Sequence, residues 1–277
     1  MVEKARDTLG LGVLSWHGYD TLRRSLQSYQ REDGFLQLFD ERVIFFPEIT
    51  DEGREIATQF GFMAKGQSQN LGIMDGFKGL ARALTSDIIV MVENDCPLIE
   101  NKVEAERQLN RGRALIATGE VKVVRLRSRK DPGEAFDTVD KYNRFYGPDD
   151  APLIEQVGKK VLRTLRRGKA KRLIGTSVYV EAEPDTKFPT YIRRTDDDCF
   201  LLPTSVMTWT NQSIMIGRKF FLDTIIARSE AVNGRRKVNG FKNLEIELND
   251  RWWRTRGWTV GVTPGLFTHR RLGDRGY

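Results

Sequence analysis

The sequence predicts an α/β protein: a mainly parallel sheet flanked by helices, with an inserted basic, helical segment. Three observations predict it. Over residues 9–92 short apolar runs alternate with stretches of helical periodicity, the pattern of strands joined by right-handed helical crossovers. Ile88-Ile89-Val90-Met91-Val92 is continuously apolar, as a strand is when helices cover both its faces. Residues 128–172 then break this rhythm and become strongly basic.

Leu9-Gly10-Leu11-Gly12-Val13-Leu14-Ser15 reads as the first buried strand. Asp20 is the expected cap of a helix over 20–29, with Leu22, Leu26 and Tyr29 on one face. Val43-Ile44-Phe45-Phe46 gives a second strand, closed by Pro47. Asp51 opens a helix towards Phe60, and a weak third strand is expected at 61–64. Residues 74–84 form a helix whose apolar stripe is Met74, Phe77, Leu80, Ala81 and Leu84. The strongest strand, 87–92, is followed by a helix at 104–118 and a strand at 121–126. Asp131-Pro132-Gly133 then opens an insertion rather than more sheet core. Strand-like segments resume at 176–180 and 213–216, and a helix follows at 218–226. A final helix at 244–256 precedes a short last strand at 259–262. The expected organisation is one domain over 1–277, with halves at 1–127 and 176–277 around an insertion at 128–175.

Length and composition set the class. The chain has 277 residues, 39% of them hydrophobic and 30% charged, which suits a globular protein rather than a disordered one. The start, Met1 to Asp7, carries acids and lacks the apolar core of a signal peptide. Crossing a bilayer takes about 20 apolar residues, far more than any run here supplies. Cys96 and Cys199 have no CxxC spacing, and with only His17 and His269 a structural zinc site is not expected. The cysteine usage fits a reducing cytoplasm. A net charge of +7 favours an anionic partner: nucleotide, nucleic acid or membrane surface.

The strongest chemical signal is Glu93-Asn94-Asp95. A buried strand delivers two carboxylates at its carboxyl end, where open α/β sheets bind ligands. Residues two apart on an extended backbone point the same way, so Glu93 and Asp95 can converge on one Mg²⁺ or Mn²⁺ together with phosphate oxygens. The plainer alternative is that they solvate a strand end or cap the next turn.

In their order and spacing these segments resemble the family 2 glycosyltransferases and the wider GT-A fold. The resemblance rests on Ser15-Trp16-His17-Gly18 after the first strand and Glu48 after the second. It continues with Asn70-Leu71-Gly72 before a helix, and with Glu93-Asn94-Asp95 in place of the family's Asp-x-Asp. It implies a nucleoside-diphosphate-sugar donor, a uridine nucleotide first, bound by Ser15, His17, Glu48, Asn70, Gly72, Glu93, Asn94 and Arg270. It implies a metal, Mn²⁺ or Mg²⁺, held by Asp95, Glu93 and His269. The half at 1–127 then binds the nucleotide sugar and the half at 176–277 the acceptor. It further implies a catalytic base near Leu248 and Arg251, which places Glu245 in that role with Glu247 as the fallback. On a continuous helix Glu247 would turn about 200° away from Glu245. Arg251-Trp252 matches the end of the processive synthases' Gln-x-x-Arg-Trp motif, but Leu248 stands at the glutamine. A single sugar transfer, with inversion, onto a glycan, glycolipid or other hydroxyl acceptor is the implied activity, with cell-surface polysaccharide or glycolipid synthesis as its setting.

Lys159, Lys160, Arg163, Arg166, Arg167, Lys169, Lys171 and Arg172 form a run without an acid, interleaved with Val161, Leu162 and Leu165. Either a solvated surface helix or a peripheral contact with an anionic membrane through 159–172 explains it. Two rival functions stay in view. A nucleotidyltransferase would also use a sheet, acids and metal, although a lysine-bearing, glycine-rich phosphate loop is missing from the N-terminal region. A nucleic-acid-binding protein would use the basic charge and Arg251-Trp252-Trp253-Arg254.

Overall fold

The computed structural model describes residues 7–134, 137–147, 152–232, 237 and 240–272. The N-terminal acids and basic residues of 1–6 and the insertion residues 135–136 and 148–151 lie outside the described residues. Among the described residues nine strands form one sheet: β1 (Leu9–Leu14), β2 (Glu41–Phe46), β3 (Met63–Gly66), β4 (Ile88–Glu93), β5 (Val123–Arg127), β6 (Arg193–Arg194), β7 (Phe200–Pro203), β8 (Ile214–Gly217) and β9 (Thr259–Phe267). Their order is β3-β2-β1-β4-β8-β5-β9-β7-β6. The strands β1 to β4 run parallel, joined through helices α1 (Tyr19–Arg31), α2 (Asp51–Gln59) and α3 (Gly72–Ala83). Helix α4 (Lys102–Ala117) leads from β4 to β5.

The sheet is mixed, which corrects the expectation of a mainly parallel one. Strand β8 lies antiparallel between β4 and β5, and β7 is antiparallel to β9. The chain reaches β8 only after the excursion through 128–213, so no short helical crossover dictates its direction. Because β8 opposes both neighbours, β4 and β5 run the same way, and β9 runs with β5. The carboxyl ends of β4, β5 and β9 and the start of β8 therefore share one edge. A strand from the second half is thus buried inside the first half's sheet.

Helices cover both faces. One core cluster gathers Leu22, Leu26, Ile56, Leu109 and Leu115 against the sheet; the other gathers Phe77, Leu80, Ile225, Leu248 and Trp253. Local chemistry moves several predicted boundaries. Gly18, in the left-handed region, precedes α1, so Asp20 sits in the first turn rather than at the cap, where its charge suits the helix dipole. Thr50 caps α2 and Asn101 caps α4 through side-chain oxygens. Residues 176–180 are not a strand. They fall mostly within a 3₁₀ helix, Ile174–Tyr179, whose buried Ile174 and Val178 are four apart, a helical spacing. The helix near 218–226 runs through a π-helical stretch, Phe221–Ile226, between α9 (Arg218–Phe220) and α10 (Ala227–Ala231). The insertion supplies α5 (Asp137–Phe145), α6 (Leu153–Leu165) and α7 (Arg167–Leu173), around a small cluster of Tyr142, Phe145, Ala170 and Leu173. A short α8 (Pro184–Lys187) follows.

The predicted helix at 244–256 is broken into α11 (Leu244–Leu248) and α12 (Arg251–Arg254). Asn249 uses its amide on the Trp209 backbone, accepting from its N–H at 2.7 Å and donating to its carbonyl at 3.0 Å. Asp250 then caps α12 by accepting from the Trp253 N–H. Side chains that bond to backbone in this way compete with helix continuation. Trp253 anchors the result: it is buried, donates from Nε1 to the Met207 carbonyl at 2.8 Å, and meets Trp209 edge to face. Trp253→Ala is expected to cost about 3–5 kcal/mol, read as a lowered urea midpoint; an unchanged midpoint would deny Trp253 this anchoring role.

Candidate active site

The shared sheet edge opens into a cleft of about 510 Å³. Leu14, Trp16, Asn70, Glu93, Asn94 and Asp95 line it from the first half, and Asn211, Gln212, Asn243, Glu245 and Arg271 from the second. Most of these residues come from a strand end or the loop beside one; Asn243 and Glu245 come from the N-cap and first turn of α11.

Asp95 is the centre of this arrangement, only 2% exposed. Strand β9 extends well past the predicted 259–262, and its far end carries His269 and Arg271 to that carboxylate. His269 Nε2 lies 3.0 Å from Asp95 Oδ2, and Arg271 Nε donates to the same oxygen at 2.5 Å. The backbone is tied as well, with the Arg270 N–H donating to the Asp95 carbonyl at 2.9 Å. Burial opposes the charge of Asp95, yet the hydrogen bonds and charges of His269 and Arg271 hold its carboxyl below the usual range. Glu93, Asp95 and His269 each offer one ligand atom, and those atoms lie within 4.8 Å of one another.

The donor set fits a divalent cation. Buried Arg127 donates to Gln212 Oε1 at 2.7 Å, which turns the Gln212 amide N–H towards His269 Nε2 at 3.3 Å. If Nε2 carries its lone pair, it accepts from Gln212 but faces the Asp95 carboxylate; if it carries a proton, it faces the amide N–H. One contact is unfavourable in either tautomer. A cation between the Nε2 lone pair and the two carboxylates removes the conflict, and oxygen with one imidazole suits Mn²⁺.

Glu245 stands across the cleft. Asn243 caps its helix by accepting from the Glu245 N–H at 2.8 Å. Thr210 Oγ1 and the Asn211 N–H donate to Glu245 Oε1 at 2.9 and 3.1 Å, which fixes the carboxylate. Glu247 faces the other way. It is buried, does not line the cleft, and its Oε1 has no hydrogen-bond partner among the described residues.

In the loop after β1, His17 and Gly18 both take positive φ. Trp16 Nε1 donates to Glu48 Oε2 at 3.3 Å, and His17 Nε2 sits 3.8 Å from the same oxygen. Asn94 Nδ2 donates to the His17 carbonyl at 3.3 Å, binding this loop to the end of β4. Asn70 Oδ1 accepts from the Gly72 N–H at 2.8 Å, a tight turn into α3. Gly72 has φ 79°, and a Cβ there would come within 2.4 Å of Phe241, so only glycine fits. Of the sequence-derived residues, Asn70, Gly72, Glu93, Asn94, Asp95 and Glu245 line the cleft, with His269 behind Asp95. Ser15 is turned inward, and Arg270 pairs with Asp131 at 2.6 Å instead of facing the cleft.

No protein-family model and no curated protein matches the sequence. Solved structures do. Staphylococcus aureus TarS 1–349 in complex with UDP-GlcNAc aligns at TM-score 0.51 and 11% identity, over 98% of this chain and 61% of that one. The mannosyltransferase PcManGT from Pyrobaculum calidifontis, in complex with GDP-Man and Mn²⁺, gives 0.51 and 11% over 99% and 59%. Glucosyl-3-phosphoglycerate synthase from Mycobacterium tuberculosis, with Mn²⁺, UDP and phosphoglyceric acid, gives 0.50 and 14% over 98% and 73%. The fold is GT-A. At these identities the likeness is one of fold, and the chain spans about 60% of the length of TarS 1–349.

The GT-A framework explains which cleft residues sequence reasoning missed. Thr210, Asn211 and Gln212 precede β8, and only its antiparallel direction brings them to the site. Arg271 takes the place expected of Arg270. Trp16 faces the cleft where His17 was expected. Both cysteines are buried and free. Burial pushes the Cys96 thiol up and Cys199 to about 11, so neither supplies a thiolate near neutral pH.

Proposed function

We propose that this chain is a metal-dependent glycosyltransferase that moves one sugar from a nucleoside-diphosphate carrier to an acceptor hydroxyl, with inversion at the anomeric carbon. The observation that carries this reading is one cleft lined by both the Glu93–Asp95 pair, with His269 behind it, and a separately held carboxylate, Glu245. When bound there, Mn²⁺ or Mg²⁺ would offset the negative charge that grows on the departing diphosphate. Glu93, Asp95 and His269 would hold it. Arg271, already facing Asp95, adds a positive charge at the mouth of that site. Glu245, its Oε1 fixed by Thr210 and Asn211, presents its other oxygen to the acceptor hydroxyl and takes its proton as the hydroxyl oxygen bonds the anomeric carbon and the bond from that carbon to the diphosphate breaks.

The donor base, uridine in this reading, is assigned to the loop after β1. Glu48 is pre-set by Trp16 and His17 to accept from a base N–H, while Asn70, Gly72 and Asn94 shape the path to the diphosphate. Hydrogen bonds to charged groups contribute about 1.5–3 kcal/mol, so Glu48→Ala is expected to raise the donor KM at least about tenfold with kcat nearly kept. An unchanged donor KM moves base recognition elsewhere. A glycan, glycolipid or other hydroxyl compound is the acceptor, and a cytoplasmic location belongs to the same proposal, in keeping with two unpaired thiols.

The deciding experiment incubates the chain with Mn²⁺ and a panel of nucleotide sugars and identifies the released nucleotide. Nucleoside diphosphate supports glycosyl transfer. Pyrophosphate released from nucleoside triphosphate and sugar phosphate would mark a nucleotidyltransferase instead. The nucleic-acid reading gains nothing from the tryptophans: Trp253 is buried and Trp252 packs on Trp258, Arg228 and Arg256.

A further inference from the structure

Helix α6 carries an apolar face that the other described residues leave exposed. Its inner side is committed to the insertion. Leu162 packs on the Tyr142–Phe145 cluster, Arg163 donates to the Phe145 carbonyl at 2.7 Å and lies over the Tyr146 ring, and Lys159 is largely buried and pairs with the exposed Glu155. The outer side holds Leu153, Ile154, Val157, Val161 and Leu165, between 51% and 86% exposed. At 100° per residue these five fall within an arc of about 120°, an apolar stripe shared only with Thr164, where a solvated helix would place polar groups. Of the apolar residues within 159–172, Leu162 therefore faces inward, and the stripe reaches back to Leu153.

The charge around the stripe selects its occupant. Lys160 borders it on α6, and Arg166 and Arg167 follow at its carboxyl end, all exposed. Residues 159–172 contain no acid. An apolar face edged by cations matches an anionic bilayer surface, which attracts the cations while the apolar side chains enter the headgroup boundary. Among the described residues no helix is long and apolar enough to cross a membrane, so the contact is a peripheral one. We propose that α6 lies in the surface of an anionic lipid bilayer through Leu153, Ile154, Val157, Val161 and Leu165.

The topology gives this docking a consequence. The chain leaves β5 at the cleft edge, and Glu134 reaches within 3.9 Å of His269 Nδ1 before the insertion helices begin. A docked α6 would hold the chain at the lipid surface and favour membrane-borne acceptors. That consequence rests on the glycosyltransferase reading; the docking itself does not.

The test is co-sedimentation of the full chain with vesicles of phosphatidylcholine alone or mixed with phosphatidylglycerol. Binding is expected to the mixed vesicles only and to fall with added salt. Val161→Asp with Leu165→Asp takes two apolar side chains out of the headgroup boundary and is expected to weaken that binding at least about tenfold. Lys160→Glu with Arg166→Glu and Arg167→Glu should weaken binding to mixed vesicles while circular dichroism and the nucleotide-dependent thermal shift stay as in the wild type. Equal binding to both vesicle types, or none, would overturn the proposal. So would a dimer in light scattering that the Val161→Asp, Leu165→Asp variant abolishes, because the stripe would then belong to a second copy of the chain. Loss of docking with intact transfer to a soluble acceptor separates this inference from the catalytic one.

Discussion

Asp95→Asn is expected to abolish the Mn²⁺-dependent thermal shift given by a nucleoside diphosphate and to lower kcat/KM at least about a thousandfold. A metal at a leaving phosphate supplies several kcal/mol of charge stabilisation, and each 1.36 kcal/mol is about tenfold in rate. Of the three proposed ligands, Asp95 has the least substitutable position. It is buried, both His269 and Arg271 converge on one of its oxygens, and its backbone carbonyl is pinned by Arg270. Glu93 cannot take over, because it lies in β4 itself and at the cleft wall. Asparagine keeps the shape and an acceptor oxygen, which tests charge rather than packing. Asp95→Ala would add a folding defect of about 3–5 kcal/mol, since Arg271 and His269 lose a buried anionic partner. A metal-dependent shift that survives in Asp95→Asn would relocate the metal.

Glu245→Gln is expected to lower kcat by about 10²–10⁴-fold, the usual contribution of a positioned base, with donor binding nearly unchanged. Glutamine can still accept from Thr210 and Asn211, so the loop before β8 keeps its place and the loss is one of proton transfer. Glu247→Gln is the matched control. Its side chain is buried away from the cleft, and turnover close to wild type is expected. The reverse outcome, with Glu247→Gln inactive and Glu245→Gln active, would move the base to Glu247.

The parallel part of the sheet was legible because a short, continuous apolar run such as Ile88 to Val92 fits a strand covered on both faces. Glu93 and Asp95 followed from where such a strand ends. The direction of β8 was not legible. Ile214-Met215-Ile216 has the same apolar pattern in either direction, and the direction is fixed only by where the excursion through 128–213 returns. That one bit of topology decides whether Thr210, Asn211 and Gln212 reach the cleft or lie at the opposite edge. The choice between Arg270 and Arg271 did leave a signal. Along an extended chain His269 and Arg271 share a side, so a histidine facing Asp95 brings Arg271 with it and sends Arg270 to Asp131. The break between α11 and α12 was hidden for another reason: Asn249 and Asp250 are tolerable inside a helix until Trp209 offers its backbone to one of them. The apolar stripe of α6 was only half visible, because Val157, Val161, Leu162 and Leu165 all recur near helical spacing and only the packing shows that Leu162, about 100° round from Val161, belongs to the inner side.

In the proposed mechanism the acids at the tip of β4, with His269, grip a cation and through it a diphosphate in the cleft that Glu245 faces. A crystal of the chain grown with Mn²⁺ and UDP, measured at a wavelength where manganese scatters anomalously, puts that arrangement to the test. One anomalous peak touching Asp95 and His269, with diphosphate density between that peak and the Glu245 side of the cleft, is the expected result. Ordered UDP elsewhere on the molecule, or manganese bound away from Asp95, would contradict it.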